Sequence, residues 1–335
     1  MTELPFFFEL SGEHPTLPES EAIACVRAEC DRYTIGARGP GYLICNFPRG
    51  RADRIANRIA LSHRIGRYLG SCLPDNFQEF INSIELPSGT ISIRARKFQN
   101  CTPEVDTNQL VRKAAAVLTK DRKVDLVAPD VEVRILISDY LHFFISDYVI
   151  DRKQYDMRKV AFRPFFSPIS LHPRYARAMI NLAELHEGES ILDPFCGTGG
   201  VLIEAGLIGA KIFGSDISPE MIEGCKENLQ YFGINWERLE AIDVGRLHQY
   251  FDKIDAVVTD PPYGRSASTR KEDLKTLYNR TLDSICEVLN TGGRLCIIYP
   301  SPHNCTSERL KLLEVHKQKV HRSLSRNYCV FIKTH

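Results

Sequence analysis

A carboxylate, two prolines and a tyrosine follow one another at Asp260-Pro261-Pro262-Tyr263, directly after the apolar run Ala256-Val257-Val258. A short β-branched run with this ending is typical of a buried strand that stops at the carboxyl edge of an α/β sheet, where such folds bind ligands. Each proline holds the preceding residue extended and lacks an N–H, so this stiff loop presents two acceptors, the Asp260 carboxylate and the Pro261 carbonyl. A rigid turn without a catalytic role is the alternative.

A loop that only accepts hydrogen bonds suits an exocyclic amino group, which has two hydrogens to donate. When both hydrogens are held, the lone pair of that nitrogen is free to attack an electrophile. The Tyr263 ring adds a face on which a base can stack. We therefore predict chemistry at an amino nitrogen of a base, with Asp260, Pro261, Pro262 and Tyr263 as the catalytic residues.

A glycine-rich turn stands between a predicted strand and a predicted helix at Asp193-Pro194-Phe195-Cys196-Gly197-Thr198-Gly199-Gly200. Strand, glycine turn and helix begin a nucleotide-binding, doubly wound sheet, and the glycines let the backbone approach the ligand. The spacing is not that of the dinucleotide motif, and a carboxylate at the strand end would repel a pyrophosphate but suit an ammonium group. This favours S-adenosylmethionine over NAD, and the predicted contacts are Asp193, Cys196, Gly197, Thr198 and Gly199.

Two more acids end the next predicted strands. Asp216 ends the strand that begins at Lys211, about 20 residues after the glycine turn. An acid at this spacing is typical of a residue that hydrogen-bonds to ribose hydroxyls. Asp243 follows a third strand and could accept the adenine amino group, with Ile217 and Ile242 as apolar walls. Each acid alone is more often a capping or loop residue, but four acids at successive strand ends favour a single site.

Composition excludes several classes of protein. With 335 residues, 43% hydrophobic and 25% charged, the chain is long enough for two or three globular domains. Eleven cysteines without a C-x-x-C pair predict reduced thiols in a cytoplasmic protein and no zinc site. We find no membrane-spanning run or secretory signal. The net charge of +1 predicts no partner, and the basic groups at 49–67 and 317–326 suit either phosphate contacts or solvated faces.

The pattern of strands and helices in the first half of the sequence predicts two small α+β domains. Residues 1–68 contain strand and helix patterns in alternation, ending in a helix predicted over 51–68, and form a ferredoxin-like domain. In residues 69–150, the strand 90–98 carries Arg94, Arg96 and Lys97 and is followed by a helix over 106–118 and a hairpin over 131–146. This second pattern resembles a THUMP domain, a tRNA-binding module, and an unrelated α+β domain with a basic strand is the alternative.

The second half begins with a basic, proline-containing linker over 151–171. Exposed paired phenylalanines would be costly, so we expect Arg163-Pro164-Phe165-Phe166 to pack on the domain that follows. That domain spans 172–335 and closes with two predicted edge strands over 315–321 and 328–333.

The glycine turn at 193–200 and the segment Asp-Pro-Pro-Tyr-Gly-Arg-Ser at 260–266 together resemble Rossmann-fold amino-methyltransferases. With the THUMP-like region, Gly12-Glu13-His14-Pro15 and the linker motif, the whole chain resembles archaeal tRNA guanine-N2 methyltransferases that modify position 10. The resemblance implies an α/β fold, with a C-terminal Rossmann-fold methyltransferase domain and N-terminal ferredoxin-like and THUMP domains that bind tRNA.

The same resemblance implies S-adenosyl-L-methionine as cofactor and tRNA as partner, with no role for a membrane. It also allows for a small zinc-binding activator protein, as in some relatives. The predicted RNA contacts are Arg94, Arg96, Lys97, Arg163 and Arg265, and Ser266 is a further substrate contact, although Gly264–Ser268 as a plain surface loop is the alternative.

Three rival functions share parts of this pattern. A methyltransferase acting on adenine N6 or on another RNA would have the same catalytic domain, and only the N-terminal half argues against it. A THUMP protein that has lost catalysis conflicts with the complete set of acids. A THUMP-type thiolation enzyme is disfavoured because the Ser-Gly-Gly-x-Asp-Ser ATP loop is missing. The sequence leaves open whether one or two methyl groups are added.

Overall fold

The computed structural model describes residues 3–167, 170–263, 273–300, 307–321 and 324–335, with the side chains of 321 and 324 excepted. The chain divides into two compact units, residues 1–151 and 152–335. Each unit contains a seven-stranded sheet. In the described residues no helix is long and apolar enough to cross a membrane.

The strands are β1 (Glu3–Leu10), β2 (Thr34–Gly39), β3 (Tyr42–Pro48), β4 (Ser62–Cys72), β5 (Ile91–Lys97), β6 (Val131–Ile137), β7 (Leu141–Val149), β8 (Ser190–Asp193), β9 (Lys211–Asp216), β10 (Arg238–Ala241), β11 (Ile254–Thr259), β12 (Leu289–Tyr299), β13 (Leu310–His321) and β14 (Leu324–Lys333). The α-helices are α1 (Leu17–Glu29), α2 (Ala52–Arg58), α3 (Phe77–Ser83), α4 (Thr107–Leu118), α5 (Lys153–Asp156), α6 (Pro173–Leu182), α7 (Gly200–Gly206), α8 (Pro219–Tyr231) and α9 (Leu274–Val288).

The sheet of the first unit has the order β2-β3-β1-β4-β7-β6-β5. Strand β5 runs parallel to β6, and the other neighbouring pairs are antiparallel. Side chains alternate between the faces of a strand, which explains the run of three buried phenylalanines in β1. Phe6 and Phe8 pack with α1 and α2 on one face, and Phe7 packs with Phe144 on the other.

Helices α3 and α4 cover the remaining part of the same sheet and form a core with β5, β6 and β7. Asp106 caps α4, since its carboxylate accepts a hydrogen bond from the Gln109 N–H at 2.7 Å. The strand predicted over 90–98, the helix over 106–118 and the hairpin over 131–146 are all confirmed.

The helix predicted over 51–68 is wrong beyond Arg58. The buried Glu21 carboxylate accepts hydrogen bonds from the N–H groups of Ala60 and Leu61, at 2.9 and 2.7 Å, and so holds this segment extended. The chain then enters β4, which pairs with β1 and β7. Ile55, Ile59 and Ile65, whose spacing suggests one apolar helical stripe, therefore lie in a helix, an extended segment and a strand. Strand β2 was not predicted.

The arginines of 49–67 do not form a solvated helix face. Four of them make ion pairs inside the first unit: Arg54 and Arg58 with Glu29, Arg64 with Glu132, and Arg67 with Asp147. The predicted boundary between residues 68 and 69 falls within β4. The division of this unit into a ferredoxin-like and a THUMP domain stays a prediction.

The sheet of the second unit has the order β10-β9-β8-β11-β12-β14-β13. Its first five strands are parallel, and β14 and β13 form an antiparallel hairpin at one edge. This is the doubly wound Rossmann order with the predicted edge hairpin, so the fold class expected for the C-terminal half is confirmed. The order reverses between β8 and β11, where such sheets bind ligands.

Candidate active site

The four predicted acids lie at one edge of the second sheet. Asp193 and Asp216 are the last residues of β8 and β9, Asp243 stands two residues after β10, and Asp260 follows β11 directly. These strands are adjacent and parallel, in the order β10-β9-β8-β11, so their carboxyl ends share an edge. The structure thus brings together the two sequence motifs on neighbouring strands.

Asp193 is buried at the end of β8 and is 2% exposed. One of its carboxylate oxygens accepts hydrogen bonds from the Thr259 hydroxyl at 2.7 Å and the Phe195 N–H at 3.1 Å. Burial raises the pKa of the Asp193 carboxyl to about 7, although both hydrogen bonds act in the opposite direction. Thr259, the residue before the catalytic loop, therefore links the two motifs, a contact that the sequence analysis missed.

The glycine turn has two residues in the left-handed region, Gly197 at φ +48° and Gly199 at φ +81°. A Cβ at Gly199 would lie 2.8 Å from the Cys225 Sγ, whereas a Cβ at Gly197 would meet no protein atom within 4 Å. The second glycine is thus required for packing, and the first leaves open space at the backbone. Cys196 is buried, and its pKa is raised by a hydrogen bond to Cys225 and by burial.

Asp216 holds the glycine turn from the neighbouring strand. Its carboxylate accepts hydrogen bonds from the Gly197 N–H at 3.1 Å and the Ser218 N–H at 2.9 Å. Burial raises its pKa, and these two bonds lower it in part. The adjoining Ile217 is half-buried, as expected for a residue lining a pocket wall.

Asp243 is not free for an adenine amino group in this conformation. Its carboxylate accepts hydrogen bonds from the Gly245 N–H at 2.8 Å and from the Arg280 guanidinium of α9. Arg280 was missed because a residue on a distant helix gives no local signal. Ile242, the predicted apolar wall, is buried in the core beneath α9.

The catalytic loop lies between β11 and the start of the segment that is not described. The Tyr263 hydroxyl donates a hydrogen bond to Asp260 Oδ1. Burial raises the pKa of the Asp260 carboxyl to about 6, while the Tyr263 hydrogen bond and the positive charge of Arg326 lower it. The pKa of Tyr263 is itself raised, by burial and by the Asp260 charge. Asp260 is therefore largely ionised near neutral pH and already has a donor.

Tyr278 of α9 fixes the second proline of the loop. Its hydroxyl donates to the Pro262 carbonyl at 2.9 Å, and its ring is buried against Tyr299 with centroids 5.0 Å apart. Pro261 is buried and Pro262 is half-buried. Two prolines and one buried tyrosine thus hold the loop in place before any substrate arrives.

Part of the linker motif packs on the second unit: Arg163 and Phe165 do so, as predicted, whereas Phe166 is 59% exposed, against the prediction. The Phe165 backbone exchanges two hydrogen bonds with the Asn228 side chain, at 2.9 and 3.1 Å, and its ring lies where a Cβ at Gly224 would be. Asn228 also donates to the carbonyl of Thr198 at 2.9 Å. A basic residue further back, Arg158, forms a buried ion pair with Glu204 of α7 at 2.6 Å.

Arg163, predicted to contact RNA, is instead inside the second unit. Its side chain is 6% exposed and donates to the Arg158 carbonyl at 3.0 Å and to the Thr198 hydroxyl at 3.3 Å. Burial lowers the pKa of this guanidinium to about 10, which still leaves it charged at neutral pH. Its position suits support of the glycine turn and does not suit direct contact with a phosphate.

The other predicted RNA contacts lie on the edge strand β5 or outside the described residues. Arg96 pairs with Glu9 at 2.8 Å, and Arg94 donates to the Leu126 carbonyl at 2.7 Å, yet their side chains remain 35% and 51% exposed. Lys97 donates to the Pro103 carbonyl at 3.2 Å. Arg265 and Ser266 fall in 264–272, outside the part of the chain that the structure describes.

Known proteins resemble this chain over its methyltransferase half and over its full length. Residues 161–327 match the model of the RMKL-like methyltransferase domain. The chain is 36% identical over 323 residues to a tRNA (guanine(10)-N2)-dimethyltransferase of Methanothermobacter thermautotrophicus, covering 95% of this chain and 96% of that protein. A Pyrococcus abyssi protein of the same name is 34% identical, with 97% and 98% covered. The crystal structure of TrmN from Thermus thermophilus has the same fold, with a TM-score of 0.57 at 19% identity over 98% of this chain and 99% of that one.

Proposed function

Since the chain belongs to the family of tRNA (guanine(10)-N2)-dimethyltransferases, we propose that it methylates N2 of the guanine at position 10 of tRNA, up to twice. The methyl donor is S-adenosylmethionine. The observation that carries the proposal is the placement of the Asp260 loop and the glycine turn at the ends of adjacent strands β11 and β8.

The residues at the glycine turn fit S-adenosylmethionine. The ligand carries an ammonium and a sulfonium, which suit an edge lined by Asp193 and Asp216 and would be repelled by a basic one. The space in front of Gly197, where a Cβ would meet nothing, allows the backbone to come close to the ligand. When bound, S-adenosylmethionine supplies an electrophilic methyl group.

The catalytic loop orients the accepting nitrogen. Asp260 is half-buried and ionised at neutral pH, so its carboxylate can accept a hydrogen bond from the N2 amino group and stabilise the positive charge that forms on that nitrogen. To do so, it exchanges the Tyr263 hydroxyl for the substrate. The Tyr263 ring can then stack on a base flipped out of the tRNA. Orientation of this kind is worth up to roughly 7 to 11 kcal/mol in favourable cases.

A second transfer needs no second site. Once the methylated, cationic nitrogen has lost a proton, it retains one hydrogen, from which the same carboxylate can accept a hydrogen bond. The names of the full-length relatives favour two methyl groups, and the sequence alone left this number open.

In this proposal the first unit binds the tRNA and the second unit carries out methyl transfer. The exposed, basic β5 supports this role, because its arginines present donors at the sheet edge. Methylation of adenine N6 is the second candidate suggested by the loop, and the guanine-N2 relatives at full length disfavour it. The activator protein and the cytoplasmic location stay predictions.

The test uses unmodified tRNA transcripts, labelled S-adenosylmethionine and the purified chain, followed by nuclease digestion and mass spectrometry. We expect N2-methylated and N2,N2-dimethylated guanosine at position 10 and no label in a transcript with adenosine there. Asp260→Ala should abolish transfer while leaving cofactor binding nearly intact, as measured by calorimetry. Label at an adenine, or loss of cofactor binding in this variant, would contradict the proposal.

A further inference from the structure

Arg326 of β14 lies beside the catalytic loop, although the sequence analysis placed it only in a basic group near the C-terminus. Its Cζ is 5.7 Å from the centroid of the Tyr263 ring, a cation–π contact. Strand β14 reaches the loop because it pairs with β12, next to β11. The Arg326 charge also lowers the pKa of Asp260, so the guanidinium lies within electrostatic reach of the carboxylate.

One donor of this guanidinium is unused. The Arg326 Nε is buried and has no hydrogen-bond partner among the described residues. A buried N–H without an acceptor is destabilising, and arginine cannot relieve this by losing its proton. The Arg326 side chain is hydrogen-bonded to the Tyr263 and Tyr328 side chains, so the Nε–H is a donor that these two tyrosines leave without an acceptor. An acceptor supplied by the substrate would satisfy the Nε–H.

Guanine and adenine differ in what they would offer to such a donor. At ring position 6 guanine has the acceptor O6, whereas adenine has an amino group that donates. The site therefore has an acceptor, Asp260, that suits the 2-amino group of guanine. It also has a permanent donor, Arg326, that suits the oxygen at ring position 6. An adenine that placed its single amino group at Asp260 would present its C2–H to Arg326 and leave the Nε–H without an acceptor, a cost that guanine avoids.

We propose that Arg326 donates a hydrogen bond from Nε to O6 of the target guanine and thereby selects guanine. This inference rests on the proposed function and assigns the specificity of the same site. Arg326 then acts on the base that is methylated, in addition to its contact with Tyr263.

The experiment compares two tRNA transcripts that carry guanine or 2-aminopurine at position 10. 2-Aminopurine keeps the 2-amino group and lacks O6; it also lacks the N1 proton, but that loss is the same for every enzyme tested. Single-turnover rates are measured for the wild type, Arg326→Ala and Arg326→Met, and for Lys319→Ala as a control. Lys319 is an exposed cation on the adjacent strand β13, opposite Ser325 in the strand register, so its replacement removes a positive charge from the neighbouring strand while Arg326 is kept.

The wild type should prefer guanine by roughly 10- to 100-fold, the range for a charged hydrogen bond in a buried site. Arg326→Ala and Arg326→Met should slow transfer to guanine more than transfer to 2-aminopurine, so that the preference falls to within about threefold. Loss of the charge that lowers the Asp260 pKa slows transfer to both bases alike and does not change this ratio. Lys319→Ala should keep the wild-type preference. Arg326→Met retains an apolar side chain over Tyr263, and thermal melting and cofactor binding establish that each variant is folded.

Equal slowing on both bases would overturn the inference. That result would mean that Arg326 acts only as a counter-charge to Asp260, and the pH–rate profile would then shift to higher pH in the variants. A wild type that methylates guanine and 2-aminopurine equally would also overturn it. Absence of transfer by the wild type to the guanine transcript would instead refute the proposed function, and the inference with it.

Discussion

Replacing Tyr263 by phenylalanine tests whether the catalytic carboxylate works in its ionised form. The Tyr263 hydroxyl donates to Asp260 Oδ1, and this bond lowers the Asp260 pKa, which burial otherwise raises. The variant keeps the ring for stacking but loses the donor, so the pKa of Asp260 must rise. Because transfer requires the carboxylate, the acidic limb of the rate profile should move to higher pH.

The size of the shift follows from the strength of the lost bond. A hydrogen bond to a charged group contributes about 1.5 to 3 kcal/mol, and one pKa unit corresponds to about 1.4 kcal/mol. Asp260 is half-buried and water can replace part of the bond, so we expect a shift of about one unit from the wild-type value of about 6. The variant should then be slower by about fivefold at pH 6 and nearly equal to the wild type above pH 8.

The assay measures kcat/KM for tRNA from pH 5 to 8.5 at saturating S-adenosylmethionine, because this parameter reports ionisation before the base binds. Tyr278→Phe is the matched control. It also removes a tyrosine hydroxyl from the loop, but that hydroxyl donates to the Pro262 carbonyl, which does not titrate. The control should lower the rate at all pH values and leave the acidic limb in place.

An unchanged acidic limb in Tyr263→Phe would refute the assignment of that limb to Asp260. A shift of the same size in Tyr278→Phe would mean that loop position, and not the hydrogen bond, sets the pKa. A limb that moves to lower pH would contradict the sign of the argument.

The affinity for S-adenosylmethionine should increase as pH rises through about 7, because the buried Asp193 carboxyl has a pKa of about 7 and must ionise to face a cationic ligand. Calorimetry at pH 6 and 7.5 should find that the affinity of Asp193→Asn depends much less on pH. Gly199→Ala should lower the melting temperature more than Gly188→Ala, since both residues have a φ above +80° but only the first would place a Cβ 2.8 Å from the Cys225 sulfur. Joint replacement of the β5 cations by alanine should weaken tRNA binding. If each cation contacts a phosphate, the slope of log affinity against log salt concentration should fall by roughly 2 to 3. An unchanged slope would mean that β5 is not part of the tRNA interface. These cations are Arg94, Arg96 and Lys97.

The catalytic half could be predicted because its signals are local. A β-branched run followed by an acid and two prolines specifies where β11 ends and what the loop presents, and the structure places Asp260 directly after that strand. The glycine turn is equally compact, and Gly199 has the positive φ that only glycine adopts readily. Neighbouring strands in a parallel sheet then bring the two motifs to one edge.

The partners of these motifs could not be predicted because they come from distant parts of the chain. Arg326, Arg280 and Tyr278 reach the site only through the pairing of β14 and the packing of α9, neither of which has a signal near the motifs. The helix predicted over 51–68 failed for the same reason. Its end is determined by the Glu21 carboxylate, which takes two backbone N–H groups some 40 residues away.

The position of β4 at the centre of the first sheet determines how that unit can unfold. This one strand of 11 residues pairs with β1 on one side and β7 on the other. Neither half of the sheet can open without leaving a long row of unpaired N–H and C=O groups, so the amides of β1, β4 and β7 should exchange with solvent together, as one cooperative unit. Fragments cut within β4 should aggregate through their open edges and not yield two smaller folded domains.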